Sequence, residues 1–145
     1  REIMADKPMQ LIRLARKFPE KLVSQIKKGT HTEDYVNHSV VAQRILQVCG
    51  PFNWDTEIIY SENKPCAVKG VLTVTIDGKP VKVSGVGTDQ NNNKDIGDQI
   101  KEMESDALKR AASRIGVGLH LWAQEQYFLY AQLLQDFEVA TEDVR

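Results

Sequence analysis

The sequence predicts an α+β fold: an antiparallel three-stranded β-meander packed by a following long helix, with further helices at both ends. Two changes of hydrophobic period support this prediction. A helical period gives way to a period of two in three segments between residues 54 and 86, and the helical period returns from residue 98 onwards. The third observation is the dipeptide Asp77-Gly78 between two alternating segments, which is the strongest short hairpin signal in the chain.

The segment before the sheet is predicted to be mostly helical. Residues 8–17 place apolar side chains at helical spacing, and the Phe18-Pro19 step ends that helix. A second short apolar stripe over residues 20–28 ends at Gly29. The N-terminal part of the chain is therefore expected to contain helices and no strand.

A further helix is predicted directly before the sheet. Its apolar stripe consists of Val41, Ile45 and Val48. Either Asn37 or Ser39 is placed to cap its start, and Gly50-Pro51 stops it. The predicted order of elements is α, α, β, β, β, α, α.

The strands of the meander are predicted at residues 54–61, 67–76 and 79–86, and the last two pair across the Asp77-Gly78 turn. A two-residue turn puts Val74 opposite Val81 and Leu72 opposite Val83 on one face. The other face then bears Lys69 and Lys82. These two lysines are either solvated surface residues or contacts for an anionic ligand.

A long helix over residues 98–115 is predicted to cover the apolar face. Its stripe consists of Ile100, Met103, Ala107, Leu108, Ala111 and Ile115. The small side chains of Ala107 and Ala111 should let it lie close on the sheet, whereas Glu104 inside the stripe calls for a subunit contact or an ion pair. A last amphipathic helix follows, with the stripe Tyr127, Tyr130, Leu134 and Phe137. One domain is expected over residues 1–145, with a core at about 18–122 and a C-terminal helix and acidic tail at 123–145.

Composition and charge exclude few functions. The chain has 145 residues and a net charge of −1, and its start at Arg1 suggests a trimmed fragment. The charge is uneven, with +5 over residues 1–28 and −4 over residues 123–145, as in a basic binding surface with an acidic tail or in two solvated ends.

No apolar run is long enough for a membrane span. Cys49 and Cys66 lie among apolar residues, which favours buried free thiols over a disulfide.

Residues for catalysis are absent from the sequence. It contains no phosphate-binding GxxxxGK[ST] loop and no nucleophile or metalloprotease motif. His31, His38 and His120 are scattered, without a cysteine or carboxylate at metal-ligand spacing. A binding protein without cofactor or metal is therefore favoured over an enzyme.

The stretch "SDALKRAASRIGVGLHLW" allows two interpretations. Acidic residues precede Lys109, Arg110 and Arg114 along the helix, which is the order that the helix dipole favours. Alternatively, Lys109, Arg110 and Ser113 form a short cationic strip with a hydroxyl, which suits phosphate oxygens. Composition alone leaves both interpretations open.

The same stretch, preceded by a β-meander and by "YVNHSVVAQRILQVCGPFNW", resembles the annealing domain of the Rad52 superfamily. The nearest branch is the phage and bacterial one that includes DdrA. The matching span runs from about Phe18 to Trp122, and Ile115 stands where the family usually has Phe. The resemblance implies a β-β-β-α core, a ring or open helical homo-oligomer, and a basic groove that holds single-stranded DNA.

The resemblance also implies which residues line that groove. Lys109 and Arg110 match the family's Lys-Arg pair, and Ser113 stands where eukaryotic members have a further Arg, with Arg114 one step along. Those members also carry a basic residue before the helix that ends at Gly50. This chain has Ser39 and Val40 in that region and no clear counterpart, and Arg44 lies a turn later. Candidate DNA contacts are therefore Lys109, Arg110, Ser113, Arg114, Arg44 and, from strand geometry, Lys69 and Lys82.

The function implied by the resemblance is ATP-independent binding and annealing of single strands in recombination and double-strand break repair. Single-stranded DNA is the expected partner, while duplex DNA and a single-strand-binding protein or recombinase remain open. The expected location is the cytoplasm of a bacterial or phage-infected cell. The alternative is an oligomerisation scaffold that does not touch DNA.

Overall fold

The computed structural model describes the backbone of residues 2–91 and 94–144 and the side chains of residues 9–27, 29–91 and 94–139. Its elements are α1 (Glu2–Ala15), β1 (Ser24–Lys28), β2 (His31–Tyr35), α2 (His38–Cys49), β3 (Asn53–Ser61), β4 (Lys64–Ile76), β5 (Lys79–Gly87), α3 (Ile96–Ser113), α4 (Leu119–Ala123) and α5 (Leu129–Val144). Short 3₁₀ turns precede β1 and α5. The fold is mixed α+β, as the sequence predicts. No helix in the described part of the chain is both long enough and apolar enough to span a membrane.

The β-meander has the predicted order and register. Strands β3, β4 and β5 form an antiparallel sheet in that order. Val74 pairs with Val81 and Leu72 pairs with Val83, as the two-residue turn requires. Asp77 and Gly78 have φ angles of 55° and 75°, which is the left-handed conformation that a tight hairpin turn between twisted strands needs.

Helix α3 covers one face of this sheet at very short range. A Cβ atom added to Gly85 of β5 would lie 2.5 Å from the carbonyl oxygen of Ala107 and 2.5 Å from the amide nitrogen of Ala111. Backbone therefore packs on backbone here, which only glycine on the strand and alanine on the helix permit. The predicted role of the two alanines is confirmed, and Gly85 provides the other half of the contact.

The main core lies where α3, the covered sheet face, α1 and α2 meet. Its fully buried members include Leu14, Ile45, Leu72, Val74 and Ala111. Helix α2 begins at the predicted cap, because the Asn37 side chain accepts a hydrogen bond from the Ser39 amide at 2.9 Å. It ends at Gly50, also as predicted. The predicted stripe of the last helix is half-buried, and α5 packs against α1.

The predicted apolar stripe over residues 20–28 is wrong as a helix. Those residues form a 3₁₀ turn and then strand β1, which pairs with β2 around Gly29 and Thr30. Leu22 and Ile26 are four residues apart, a spacing that fits a helix turn but equally fits two strand periods. Both side chains are exposed, so their four-residue spacing does not mark the buried face of a helix.

Two further expectations are corrected by the structure. Glu104 is exposed, so it lies outside the buried stripe of α3 and needs no partner in the protomer. Both cysteines are free, but Cys66 is exposed and Cys49 only half-buried. Cys66 sits where the β3–β4 register shifts between Ile59 and Tyr60, and such a bulge residue is left unpaired and turned from its regular face.

Candidate nucleic-acid groove

A groove forms where the chain reverses after α3. The helix ends at Ser113, and Gly116 and Gly118 adopt φ angles of 94° and 73° before α4 begins. Gly118 is the N-cap of α4 in the left-handed conformation, which a side-chain-bearing residue rarely adopts. This reversal brings Trp122 of α4 back alongside the end of α3.

The groove runs between this α3–α4 corner and the β1–β2 hairpin, with a volume of about 600 Å³. Lys109 and Arg110 line it from α3, Trp122 lines it from α4, and Tyr35 lines it from β2. Two cations and two aromatic rings therefore face one open space. This is the combination of backbone-neutralising and base-stacking groups that single-stranded nucleic acid binders use.

Arg110 is held in place by two neighbours. Its Nε donates to Oδ2 of Asp106, one turn earlier, at 3.0 Å. Its guanidinium also lies over the Trp122 ring, 4.7 Å from the centroid. The side chain nevertheless remains 48% exposed. Arg110 is thus oriented in advance while its remaining N–H groups stay open to solvent.

Lys109 points to the opposite wall of the groove. Its Nζ donates to the carbonyl oxygen of Val36 at 3.3 Å and lies 5.8 Å from the centre of the Tyr35 ring. Burial lowers the pKa of Lys109, while the carboxylates of Asp106 and Glu102 oppose that change. Lys109 therefore ties the base of the β1–β2 hairpin to α3, a role that the sequence analysis did not foresee.

The groove also carries acidic side chains. Glu33 and Asp34 line it from β2, and Glu102 and Asp106 line it from α3. One of these, Asp106, is already paired with Arg110. The local charge is consequently mixed, so a polyanion gains less from this groove than from one lined by cations alone.

Ser113 and Arg114 are engaged elsewhere. The Ser113 hydroxyl donates to the Arg110 carbonyl at 2.6 Å, within its own helix. Arg114 is exposed, and its Nε donates to the Ser84 carbonyl on β5 at 2.7 Å. The predicted strip of α3 therefore divides, with Lys109 and Arg110 in the groove and Arg114 over the edge of the sheet.

Lys69 and Lys82 are exposed on the sheet face that α3 leaves uncovered, as the strand pattern predicts. Lys69 pairs across the strands with Glu57, and Lys82 pairs with Thr73. Both lysines lie on a face different from the one that supports the groove-forming helix. The structure therefore does not bring them together with Lys109 and Arg110.

Arg44 belongs to α2, and its side chain lies against the end of α1. Its Nη1 donates to the carbonyl oxygens of Leu14 at 3.2 Å and Arg16 at 2.6 Å. Its guanidinium also lies 4.7 Å from the centre of the Phe18 ring. Burial lowers the pKa of Arg44, and the positive charges of Arg16 and Arg13 lower it further. Arg44 satisfies backbone groups that the helix end leaves open.

Sequence reasoning missed the second wall of the groove. Tyr35 and the acidic pair before it belong to the β1–β2 hairpin, which the sequence analysis took as helix and loop. The segment "HTEDY" shows no apolar alternation that would have revealed the strand. Among the described side chains, no group of three or more His, Cys, Asp or Glu is placed to hold a metal ion.

Comparison with known families gives a clear assignment. Residues 9–135 match the profile of the Rad52/22 family double-strand break repair protein. This match covers most of the chain, including the sheet, α3 and the groove, so the chain belongs to the Rad52/22 family. A comparison with curated proteins found no match. Membership of the phage and bacterial branch that includes DdrA stays a prediction.

Proposed function

We propose that this chain binds single-stranded DNA in the groove between the β1–β2 hairpin and the α3–α4 corner, and that it promotes annealing of complementary strands without nucleotide or metal. The observation that carries the proposal is the meeting of Lys109, Arg110, Tyr35 and Trp122 around one groove in a member of a double-strand break repair family. Annealing is downhill once strands meet, so holding the strands is sufficient.

In this proposal Arg110 is the principal phosphate contact. It is exposed, oriented by Asp106 and Trp122, and its planar fork can donate to two phosphate oxygens at once. Lys109 contributes a second positive charge from deeper in the groove. Trp122, with 47% of its surface exposed, and Tyr35 offer rings to unpaired bases. Sequence-independent contacts of this kind suit a protein that must accept any strand.

We also propose that the chain, as one domain over residues 1–145, assembles as a ring or helical homo-oligomer. Supporting this, β3 and β5 are edge strands of the described sheet, and Tyr60 and Val86 are largely exposed on them. Repetition of a weak groove around an oligomer would raise affinity for a long strand far above that of one subunit. A single-strand-binding protein or recombinase remains a candidate partner.

A structural scaffold without DNA binding is the second candidate. It is favoured by the contacts that the α3 cations make within the protomer, since Arg110 pairs with Asp106, Arg114 bonds Ser84 and Lys109 bonds Val36. These contacts account for the cations without any ligand. They do not account for the two aromatic rings that border the open groove.

Strand annealing by purified protein, with EDTA and without ATP, tests the proposal. The double variant Lys109→Ala/Arg110→Ala should lose binding to every DNA sequence alike, and the salt slope should fall by about 0.7 for each lost phosphate contact. The matched control Lys64→Ala/Lys79→Ala removes two exposed lysines at the sheet ends and should retain binding.

The variant Arg110→Lys separates charge from geometry. It should keep the salt slope and lose affinity, because an ammonium group cannot fork two oxygens. Unchanged affinity and oligomeric state in the double variant would favour the scaffold. A requirement for ATP, or loss of annealing in EDTA, would contradict the proposed mechanism.

A further inference from the structure

A second group of cations surrounds the end of α1, outside the groove. Arg13 lies in the last turn of the helix, and Arg16 and Lys17 follow directly after its end at Ala15. Arg13 is fixed by a bond from its Nη2 to the Gln47 carbonyl of α2 at 3.3 Å. We call Arg13, Arg16 and Lys17 the α1-end cluster.

The α1-end cluster is exposed and forms no ion pair with any side chain that the structure describes. All three side chains are classed among the exposed residues. The ion pairs between described side chains involve His31, Lys94 and Arg110, and none of the three cluster cations. The half-buried guanidinium of Arg44 lies beneath the cluster and adds a fourth positive charge. Within the described part of the chain, charges of one sign are therefore gathered here without an ion-pair partner.

Helix capping does not explain the cluster. Cations near a helix C-terminus interact favourably with the open carbonyl groups. At α1 the last two carbonyls already have partners, because Arg44 donates to Leu14 and the Tyr127 hydroxyl donates to Ala15. The exposed charges of Arg16 and Lys17 lie beyond the last helical residue and make none of these bonds.

The cluster adjoins the wall of the groove. Phe18 follows Lys17, and its amide donates to Nε2 of His120 on α4 at 3.3 Å. The Phe18 ring packs against Gly118, and Gly118 itself lines the groove. The backbone from Lys17 to Phe18 is thus bonded directly to the helix that carries Trp122.

We propose that the α1-end cluster is a second phosphate-binding surface, over which the backbone of a single DNA strand runs as it leaves the groove. The inference rests on the proposed function and extends it. Lys109 and Arg110 share the groove with four carboxylates, whereas the cluster cations form no ion pair with a described side chain. A strand that continued over Lys17 and Arg16 would therefore release counterions from cations that are not already paired with a described carboxylate.

The occupant is a nucleic-acid backbone rather than an acidic protein segment, because the cluster is continuous with the groove. The test uses the double variant Arg16→Gln/Lys17→Gln. The side chains of Arg16 and Lys17 form no hydrogen bond or ion pair among the described residues, so their replacement should not disturb the fold. Lys64→Gln/Lys79→Gln is the charge-matched control. Binding is measured by fluorescence anisotropy with oligo-dT of increasing length, and the oligomeric state is measured by light scattering in the same buffer.

We expect the cluster variant to match the wild type on oligonucleotides that fill only the groove and to bind longer ones more weakly. For each subunit that a long oligonucleotide engages, the wild type should lose about sevenfold more affinity than the variant between about 50 and 200 mM salt, because two contacts steepen the slope by about 1.4. The control should behave like the wild type. Lys109→Ala/Arg110→Ala should weaken binding at every length.

Two outcomes overturn the inference while leaving the proposed function intact. One is wild-type affinity and salt slope in the cluster variant at all lengths. The other is a loss of binding that appears only together with smaller oligomers, which would identify the occupant as an acidic surface of a second copy. If the wild type binds no DNA, the proposed function fails first, and the inference fails with it.

Discussion

The guanidinium of Arg110 stacks on the indole of Trp122, 4.7 Å from the ring centroid, although the two residues belong to different helices. The stacking depends on the chain reversal at Gly116 and Gly118, which places α4 beside the end of α3. A stacked arginine loses little conformational freedom when it binds phosphate, because its fork is already oriented. Trp122 is thereby a positioning residue for Arg110 in addition to a surface for bases.

Replacing Trp122 with leucine should therefore weaken DNA binding without removing any charge. We expect a loss of at least about two- to fivefold in affinity, since exposed cation–π pairs contribute about 0.5–1 kcal/mol. Loss of a base that stacks on the indole would add to this. The salt slope should not change, because the number of cations is the same. Trp122→Tyr should retain most of the affinity. Full binding by the leucine variant in an anisotropy titration would show that the stacking has no role in recognition.

Lys109 and Arg110 are expected to contribute similar amounts to stability through different contacts. The variant Lys109→Met keeps the apolar stem but loses the bond to the Val36 carbonyl, at a cost of about 0.5–1.5 kcal/mol in the free energy of unfolding. Arg110→Ala removes an i,i+4 pair with Asp106, which contributes about 0.3–0.5 kcal/mol. It also removes the exposed cation–π contact with Trp122, which contributes about 0.5–1 kcal/mol. Chemical denaturation of both variants gives the comparison.

The same bond predicts where Lys109→Met changes the dynamics. Amide hydrogen exchange should accelerate in β1 and β2, because the hairpin loses its tie to α3 while the three-stranded sheet is untouched. Arg110→Ala serves as the control and should leave exchange in the hairpin unchanged. Equal exchange in both variants would show that the Val36 contact does not hold the hairpin.

The meander and its covering helix could be predicted because their signals are local and agree with each other. Asp77-Gly78 sets the turn, the turn sets the register, and the register puts Leu72 and Val74 on the covered face. The β1–β2 hairpin could not be predicted in the same way. The described residues of its strands have no buried face, so apolar and polar residues do not alternate along them. Hydrophobic periodicity therefore gives little information about these strands.

Only the part of the site that lies on helix α3 could be predicted from the sequence. Lys109 and Arg110 are neighbours in sequence and both reach the groove. The partners that give them different roles, Val36 and Trp122, lie on other elements, and only the tertiary structure brings them near. Arg44 shows the same limit, because its partners at the end of α1 are about 30 residues earlier in the chain.

The contact between Gly85 and α3 predicts a large cost for one added methyl group. Gly85→Ala would place Cβ against the backbone of Ala107 and Ala111, which cannot move aside as a side chain can. We expect a loss of about 1–3 kcal/mol in the free energy of unfolding. Gly97→Ala is the matched control, because its Cβ would meet only the Asp95 carboxylate at 3.4 Å. Similar unfolding midpoints for the two variants would contradict the close packing.

His120 lies at the junction between the end of α1 and the wall of the groove. Its Nε2 accepts a hydrogen bond from the Phe18 amide, so Nδ1 carries the proton in the neutral ring, and that buried atom has no described partner. Burial, together with the nearby positive charges of Lys17 and Arg44, lowers the pKa of His120 to about 4, while the carboxylate of Asp34 opposes that change.

This environment predicts a specific loss of stability in acid. The unfolded chain binds a proton at the ordinary histidine pKa near 6.5, whereas the folded chain binds it only near pH 4. The contribution of neutral His120 is therefore complete above pH 6.5 and is lost as the pH falls towards 4, by at most about 1.4 kcal/mol per pH unit before solvent screening.

His120→Gln retains an acceptor for the Phe18 amide but does not titrate. The difference in unfolding free energy between wild type and His120→Gln should accordingly shrink or reverse between pH 7 and pH 4, since carboxylate titration is common to both. Parallel stability curves over that range would show that the imidazole is solvated and that the junction does not exclude its charge.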